Sequence, residues 1–178
     1  LRATPGEAPF TPLAISRLAW HSLRRLIPDA VSAVLMPNHL HLCGPLRPQV
    51  ELGIHGLAGK IASALGKPGL WEKLHVTPIS GPDALRTQIR YHALNPVRKR
   101  LCSDPLSWAW STYREHFGAT ADRWIGARAI ESLFGEGAPG LRALHAYCSA
   151  DPSVDVAGTP PPGGPARSTR RRPCRRAG

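Results

Sequence analysis

The feature that most constrains the fold is a pair of short apolar segments separated by a proline-asparagine turn. Residues 31–36 (VSAVLM) are apolar apart from one serine, which is typical of a buried strand. Pro37-Asn38 is a turn signal, and residues 39–43 (HLHLC) alternate polar and apolar with a period of two. The pattern therefore predicts two antiparallel strands joined by a tight turn.

Helices are predicted on both sides of this hairpin in the sequence. Three segments carry apolar residues at helical spacing: residues 11–27, 50–65 and 83–95. Thr11 can cap the first helix ahead of Pro12 at its first position. Pro96 is expected to end the third helix. A short strand is predicted over residues 74–79, where Pro78 favours a sheet edge.

This order of elements predicts an α+β fold, a ferredoxin-like βαββαβ sandwich with helices on one face of an antiparallel sheet. Residues 1–9 contain two prolines and a glycine and show no strand pattern, so the first strand is predicted to be missing. Four parts are expected: an N-terminal remnant (1–10), a main domain (11–118), a helical C-terminal extension (119–152) and a disordered basic tail (153–178).

The charge of the chain favours a polyanionic partner. The net charge is +11, and removing the six arginines of the last twenty residues still leaves +5. A basic body with a more basic tail is typical of nucleic-acid-binding proteins, although a solvated basic surface gives the same composition. The four cysteines form no C-x-x-C pair, which favours reduced thiols in the cytoplasm. No stretch approaches the roughly 20 apolar residues of a membrane helix.

Two histidines flank one apolar residue on the predicted second strand. Because side chains alternate along a strand, His39 and His41 project from the same face while Leu40 faces the core. Imidazoles placed in this way can converge on one metal ion. Two hydrogen-bonded surface histidines would produce the same pattern, so the spacing alone leaves both interpretations open.

A polar stripe on the third helix provides an independent signal. Gln88, Tyr91 and Asn95 are spaced three and four residues apart, so they share one face of the helix. This face can present a phenol with an amide on either side. The alternative interpretation is a half-buried core tyrosine at position 91 and a helix cap at position 95.

Three motifs in one order resemble the single-tyrosine HUH transposases associated with repeated extragenic palindromes (REP). Residues 36–42 (MPNHLHL) resemble the M-P-N-H-x-H-L signature of that family, and residues 91–98 (YHALNPVR) resemble its Y-x-x-x-N-P-V-R segment. Asp104-Pro105 followed by residues 108–113 (WAWSTY) resembles the D-P and W-S-S-Y stretch that comes next. The resemblance spans about residues 15–150.

The resemblance implies a metal-dependent endonuclease and strand transferase that acts on single-stranded or hairpin DNA, in the cytoplasm at the nucleoid. His39 and His41 match the histidines that bind a divalent cation, Mg²⁺ or Mn²⁺. Tyr91 matches the nucleophile that forms a 5′-phosphotyrosine intermediate. Asn95 matches a candidate third metal ligand, and Gln88 could reach the same place.

Basic residues after the third helix are the predicted DNA contacts. Arg98, Lys99 and Arg100 directly follow the nucleophile segment, and Arg24 with Arg25 could extend the contact along the DNA backbone. The other tyrosines, at positions 113 and 147, are predicted to pack in the core.

Alternatives remain open at this point. The missing first strand raises the possibility of a truncated or decayed module that holds hairpin DNA without cutting it. A basic RNA-binding protein needs aromatic residues on its strands, and the predicted strands carry none. The active site could act within one chain or across a homodimer.

Overall fold

The computed structural model describes residues 1–119, 124 and 128–149. The elements, apart from a 3-10 turn at Pro105–Ser107, are α1 (Leu13–Leu26), β1 (Ser32–Leu35), β2 (Leu40–Cys43), α2 (Pro48–Ala64), α3 (Pro82–Arg98), α4 (Tyr113–His116), α5 (Arg128–Phe134) and α6 (Gly137–Ser149). Helices combined with a small antiparallel sheet confirm the α+β class. In the part of the chain that the structure describes, no helix is both long and apolar enough to cross a bilayer.

β1 and β2 form the hairpin that the turn and the period-two pattern predict. Ser32 lies opposite Cys43, and Leu35 lies opposite Leu40. The turn is closed by the backbone nitrogen of Met36, which donates to the carbonyl oxygen of His39 at 2.8 Å. All four residues of β1 are buried, so the hairpin lies inside the molecule and needs cover on both faces.

Extended backbone continues the hairpin on both sides. Residues 1–4 run antiparallel to the start of β2, where the nitrogen of Leu40 donates to the oxygen of Leu1 at 2.8 Å. Residues 70–72 pair with the far side of this segment, and residues 110–112 pair with β1. The backbone order across the layer is therefore 70–72, 1–4, β2, β1, 110–112.

This order corrects the expectation about the first strand. Residues 1–4 form only isolated bridges rather than a regular strand, yet they occupy the place beside β2. Pro5 and Gly6 end the extended stretch immediately, and their presence obscured the four pairing residues in the sequence pattern. The edge of β2 is consequently not open.

Helices cover both faces of the sheet, which corrects the expectation of helices on one face. Ala33, Leu35 and Leu40 belong to a core shared with α1 and α2. Ser32 and His41 lie on the other face, where they contact residues of α3. A second core joins α3 to the C-terminal helices α5 and α6. The alternation of side chains along β1 and β2 therefore separates two helical layers.

Three predicted element boundaries were wrong. Thr11 is not the cap of α1, because the helix begins at Leu13 and its N-cap position is Pro12, without a side-chain cap. Residues 74–79 form no strand, since residues 70–72 occupy the sheet position instead. α3 does not end before Pro96 but includes it, because a proline near the last turn removes only one helical hydrogen bond. The predicted tail, 153–178, lies outside the described residues.

Candidate active site

The two histidines of the hairpin lie against each other. Their ring centroids are 4.7 Å apart and the ring planes meet at 84°. Nδ1 of His39 donates to Oδ1 of Asn38 at 2.7 Å, so the lone pair of His39 is on Nε2. Nε2 of His41 is buried and has no hydrogen-bond partner among the described residues. Each ring therefore keeps one nitrogen that can bind a cation.

The surroundings keep both rings neutral at physiological pH. Burial, helped by the charges of Arg2, the N-terminal ammonium and Lys99, lowers the pKa of His39 to about 4. Burial lowers the pKa of His41 to about 2, with smaller contributions from neighbouring histidines and charges. Neutral imidazole is the form that coordinates metals, so neither ring would have to lose a proton to bind a cation.

α3 brings Tyr91 to this pair. The ring centroid of Tyr91 lies 5.2 Å from that of His41, with the planes at 77°, so the two rings meet edge to face. Arg98, seven residues further along the same helix, places its guanidinium carbon 5.6 Å from the centroid of the Tyr91 ring. One phenol, two imidazoles and one guanidinium therefore share one site at the junction of β2 and α3.

His92 is a site residue that the sequence analysis missed. It is fully buried and stacks on His41, with centroids 5.4 Å apart and planes at 25°. Its Nδ1 donates to Oγ of Ser32 at 2.7 Å, and its Nε2 accepts from the amide of Gln88 at 2.7 Å. Both ring nitrogens are thus occupied, and burial lowers the pKa of His92 to about 3. Gln88 therefore contacts the site through His92.

The signal for His92 was partly present in the sequence. Gln88 and His92 are four residues apart on one helix, so their side chains are close enough to form a hydrogen bond. The other partner, Ser32, is sixty residues away in sequence, and only the packed fold brings it to the ring.

Asn95 is buried one helical turn after Tyr91. Its side-chain nitrogen has no hydrogen-bond partner among the described residues. A buried amide group left in this state costs about 1–3 kcal/mol, and rotating the amide would present the carbonyl oxygen in its place. No group of three His, Cys, Asp or Glu side chains in residues 1–119, 124 and 128–149 could hold a metal. A cation at His39 and His41 would therefore need further ligands of another type, such as an amide oxygen.

The predicted DNA-binding residues separate into two groups. Lys99 is close enough to His39 for its charge to lower the pKa of that ring, and Arg100 is exposed directly after it. Arg24 and Arg25 lie on α1, in the helical layer across the sheet from α3. Arg25 lines a groove of about 310 Å³ between α1 and α2. The structure thus groups Arg98 and Lys99 with the site, but not Arg24 or Arg25.

The other two described tyrosines belong to the second core. The hydroxyl of Tyr113 is 2.9 Å from Nδ1 of His145, and burial raises the pKa of this phenol. The ring of Tyr147 packs beneath the guanidinium of Arg90 at 5.7 Å. Their contacts are with α3 and the C-terminal helices, as expected for packing residues.

Comparison with known proteins gives a similarity of fold. No family model matches the chain, and no curated protein matches its sequence. A solved structure described as a REP-associated tyrosine transposase bound to a REP hairpin superposes on it with a TM-score of 0.51 and 15% sequence identity. The match covers 70% of this chain and 79% of that chain, and it establishes a structural relationship between the two.

Proposed function

We propose that this protein is a single-tyrosine HUH transposase that cuts and rejoins single-stranded DNA at hairpins. The observation that carries the proposal is the contact between the rings of Tyr91 and His41, whose centroids are 5.2 Å apart. Nε2 of this histidine is buried and has no hydrogen-bond partner among the described residues. The fold similarity to a REP-associated tyrosine transposase and the three ordered motifs support the same conclusion.

The backbone order supports a ferredoxin-like fold. If residues 1–4 count as the first strand, β1 and β2 as the second and third, and residues 70–72 as the fourth, the spatial order is 4-1-3-2. The helices α1 and α2 then provide the two crossovers of a βαββαβ unit. The segments at both edges are short, so the regular sheet is limited to the central hairpin.

A divalent cation, Mg²⁺ or Mn²⁺, fits the donor set of the site. His39 and His41 would hold it through Nε2, with the amide oxygen of Asn95 as the third protein ligand. Two imidazoles favour Mn²⁺, because Mg²⁺ prefers oxygen ligands. When bound, the cation would act as a Lewis acid on a non-bridging oxygen of the scissile phosphate.

Tyr91 is the proposed nucleophile. Its phenolic oxygen would form a bond to phosphorus while the bond to the 3′-oxygen breaks, so the DNA leaves as a free 3′-hydroxyl and a 5′-phosphotyrosine. The proton lost by the phenol balances the proton gained by the 3′-oxygen. One phosphodiester replaces another, so a 3′-hydroxyl can attack the phosphotyrosine and rejoin the strand.

Cations around Tyr91 would position the DNA backbone. Arg98 lies over the phenol ring, and Lys99 is near enough to His39 for its charge to lower the pKa of that ring, so both charges would act on a phosphate bound between these residues. The net charge of +11 adds a general attraction for polyanions. We propose a nucleoid location and leave a homodimer as one possible assembly.

The non-catalytic alternative is less well supported. It depended on a missing first strand that would leave β2 with an open edge, and residues 1–4 occupy that edge. Hairpin binding alone also does not require a buried imidazole nitrogen without a hydrogen-bond partner beside a tyrosine.

The test is formation of a covalent protein–DNA adduct. The protein is incubated with labelled single-stranded DNA carrying a hairpin, with Mn²⁺, and separated on a denaturing gel. We expect an adduct that disappears with Tyr91→Phe or a chelator and persists with the control Tyr147→Phe. Binding without an adduct under any of these conditions would favour the non-catalytic module.

A further inference from the structure

Arg2 lies beside His39 on the face of the sheet that carries the candidate site. The two residues form an antiparallel bridge, flanked by hydrogen bonds that the nitrogens of Ala3 and Leu40 donate. Residues directly opposite each other project their side chains from the same face, and a pair that is not itself hydrogen-bonded, as here, brings them closest. Ala3 belongs to the core on the other face, as the alternation of side chains requires.

Glu72 extends this row of side chains by one residue. Ala3 bridges to Trp71, which sets the register of the pairing. In that register Arg2 lies opposite Glu72, whose backbone nitrogen donates to the oxygen of Arg2 at 2.9 Å. Nε of Arg2 is 4.0 Å from Oε2 of Glu72. A carboxylate, a guanidinium and an imidazole therefore lie side by side across three neighbouring backbone segments.

The ion pair between Arg2 and Glu72 is loose. Its separation is longer than a hydrogen bond, and the two side chains are 60% and 43% exposed. Exposed pairs of this kind contribute little to stability, because water and salt screen the charges. A guanidinium carries five N–H donors, so Arg2 can leave the carboxylate for a better-placed anion at little cost.

The charge of Arg2 acts on the candidate site. Burial is the main cause of the lowered pKa of His39, and the charge of Arg2 is the next largest. Lys99 contributes to the same shift from the C-terminal end of α3. Arg2 therefore supplies positive charge to His39 from the sheet, on a different element from Arg98 and Lys99.

We propose that Arg2 binds a phosphate of the DNA strand held at the candidate site, and that Glu72 competes with the DNA for its guanidinium. The proposal rests on the function proposed above and adds a contact from the sheet to those expected from α3. A guanidinium can bind a phosphate through two parallel hydrogen bonds, which are shorter and stronger than its 4.0 Å contact with one carboxylate oxygen. DNA binding would thus exchange a weak internal ion pair for a stronger one, and Glu72 would limit the affinity gained.

The first experiment measures the affinity of the full chain for a hairpin oligonucleotide with a single-stranded extension, at several salt concentrations and with a chelator to prevent cleavage. Arg2→Gln should lower the affinity about tenfold, the effect of losing one hydrogen bond between charged groups, and reduce the slope of log affinity against log salt by about 1. Arg2→Lys keeps the charge and should restore the slope. Glu72→Gln should raise the affinity up to about fivefold, but not in an Arg2→Gln background.

A second ion pair at the opposite end of the hairpin provides matched controls. Arg47 binds Asp29 and both side chains are exposed, but this pair lies where β1 begins and β2 ends. Arg47→Gln and Asp29→Asn change the net charge as Arg2→Gln and Glu72→Gln do, so they measure the effect of net charge alone. We expect each to change the affinity by less than about twofold, because salt screens distant charges.

The second experiment replaces each phosphate of the oligonucleotide in turn with an uncharged methylphosphonate. We expect one position in the single-stranded part at which the wild-type affinity falls, whereas the affinity of Arg2→Gln falls no further, because the contact is already lost. A purely structural role of Arg2 would not produce this dependence on position.

The outcomes separate this proposal from the proposed function. If the hairpin binds but Arg2→Gln acts like Arg47→Gln, or loses affinity equally at every methylphosphonate position, phosphate binding by Arg2 is overturned while the proposed function stands. If Glu72→Gln raises the affinity equally with and without Arg2, competition by its carboxylate is overturned. If the wild-type chain binds no hairpin DNA at all, both proposals are overturned.

Discussion

The amide nitrogen of Gln88 donates a 2.7 Å hydrogen bond to Nε2 of His92, and His92 in turn stacks on His41. If His41 binds a cation as proposed, this arrangement lets Gln88 orient the His41 ring through His92 without contacting the cation itself. Removing a residue that orients a metal ligand without binding the metal commonly lowers metal affinity or activity by about 10- to 100-fold.

We therefore expect Gln88→Ala to raise the Mn²⁺ concentration needed for adduct formation by about tenfold. This increase in the required Mn²⁺ concentration should vanish in a His92→Phe background, because phenylalanine has no ring nitrogen to accept the hydrogen bond from the amide. Thr87→Ala, a neighbouring half-buried position on α3, serves as the control. If Gln88→Ala has the same effect with and without His92, the amide acts directly on the metal.

Acid should destabilise the metal-free protein through its buried histidines. The folded-state pKa values of His39, His41 and His92 are about 4, 2 and 3, all below the usual 6.5. Between these pKa values and 6.5 the unfolded chain binds more protons than the folded chain. The contribution of the neutral histidines to the free energy of unfolding is therefore fully present above pH 6.5 and falls as the pH drops towards 4.

Urea unfolding in the presence of a chelator, between pH 7.5 and 4.5, measures this dependence. The substitution His92→Phe should reduce the slope of the free energy of unfolding against pH, below pH 6.5, by up to about 1.4 kcal/mol per pH unit. His21→Phe, at an exposed position, should leave the slope unchanged. An equal slope in the wild type and in His92→Phe would show that the ring is not neutralised by burial.

The elements that the sequence predicted correctly are those with a local pattern of turn residues or apolar spacing. The hairpin follows from the turn at Pro37-Asn38 and the alternation that follows it, and α2 follows from a continuous apolar stripe. Residues 1–4 were missed because the backbone groups that pair with them lie at positions 38–40 and 70–72. The strand predicted at 74–79 failed for the same reason, since local β-propensity does not report whether an edge is already occupied.

The candidate site likewise combines residues with a local sequence signal and residues whose partners are distant in sequence. His39, His41 and Tyr91 were selected by motif spacing, and the structure brings their rings together. His92 was not selected, because its partner Ser32 is remote in sequence. The separation of Arg25 from the site was equally invisible, because it depends on which face of the sheet α1 covers.

That separation predicts different effects for two exposed cations. Lys99→Ala should weaken hairpin binding and reduce the slope of log affinity against log salt by about 1, the change expected for one lost phosphate contact. Arg25→Ala should leave both quantities unchanged. Binding titrations at several salt concentrations measure this, and equal effects of the two substitutions would refute a DNA path over the α3 side.

Thr112 tests the sheet extension at residues 110–112. Its buried hydroxyl accepts from the nitrogen of Ala33 at 2.9 Å, and its own backbone nitrogen donates to the oxygen of Ala33 at 3.0 Å. Thr112→Val leaves that Ala33 nitrogen unpaired, so the free energy of unfolding should fall by about 1–3 kcal/mol. Thr77→Val, at an exposed position, should change it by less than about 0.5 kcal/mol. Equal unfolding midpoints for the two variants would mean that this contact does not stabilise the sheet edge.

Attachment of DNA to a tyrosine beside two histidines can be tested by locating the modified residue. The protein is trapped with a hairpin oligonucleotide in Mn²⁺ and digested, and the peptide that retains nucleotide mass is sequenced by mass spectrometry. We expect a nucleotide on Tyr91 alone, and none after His41→Ala. A modified peptide containing Tyr113 or Tyr147 instead, or unchanged modification of Tyr91 in His41→Ala, would contradict this expectation.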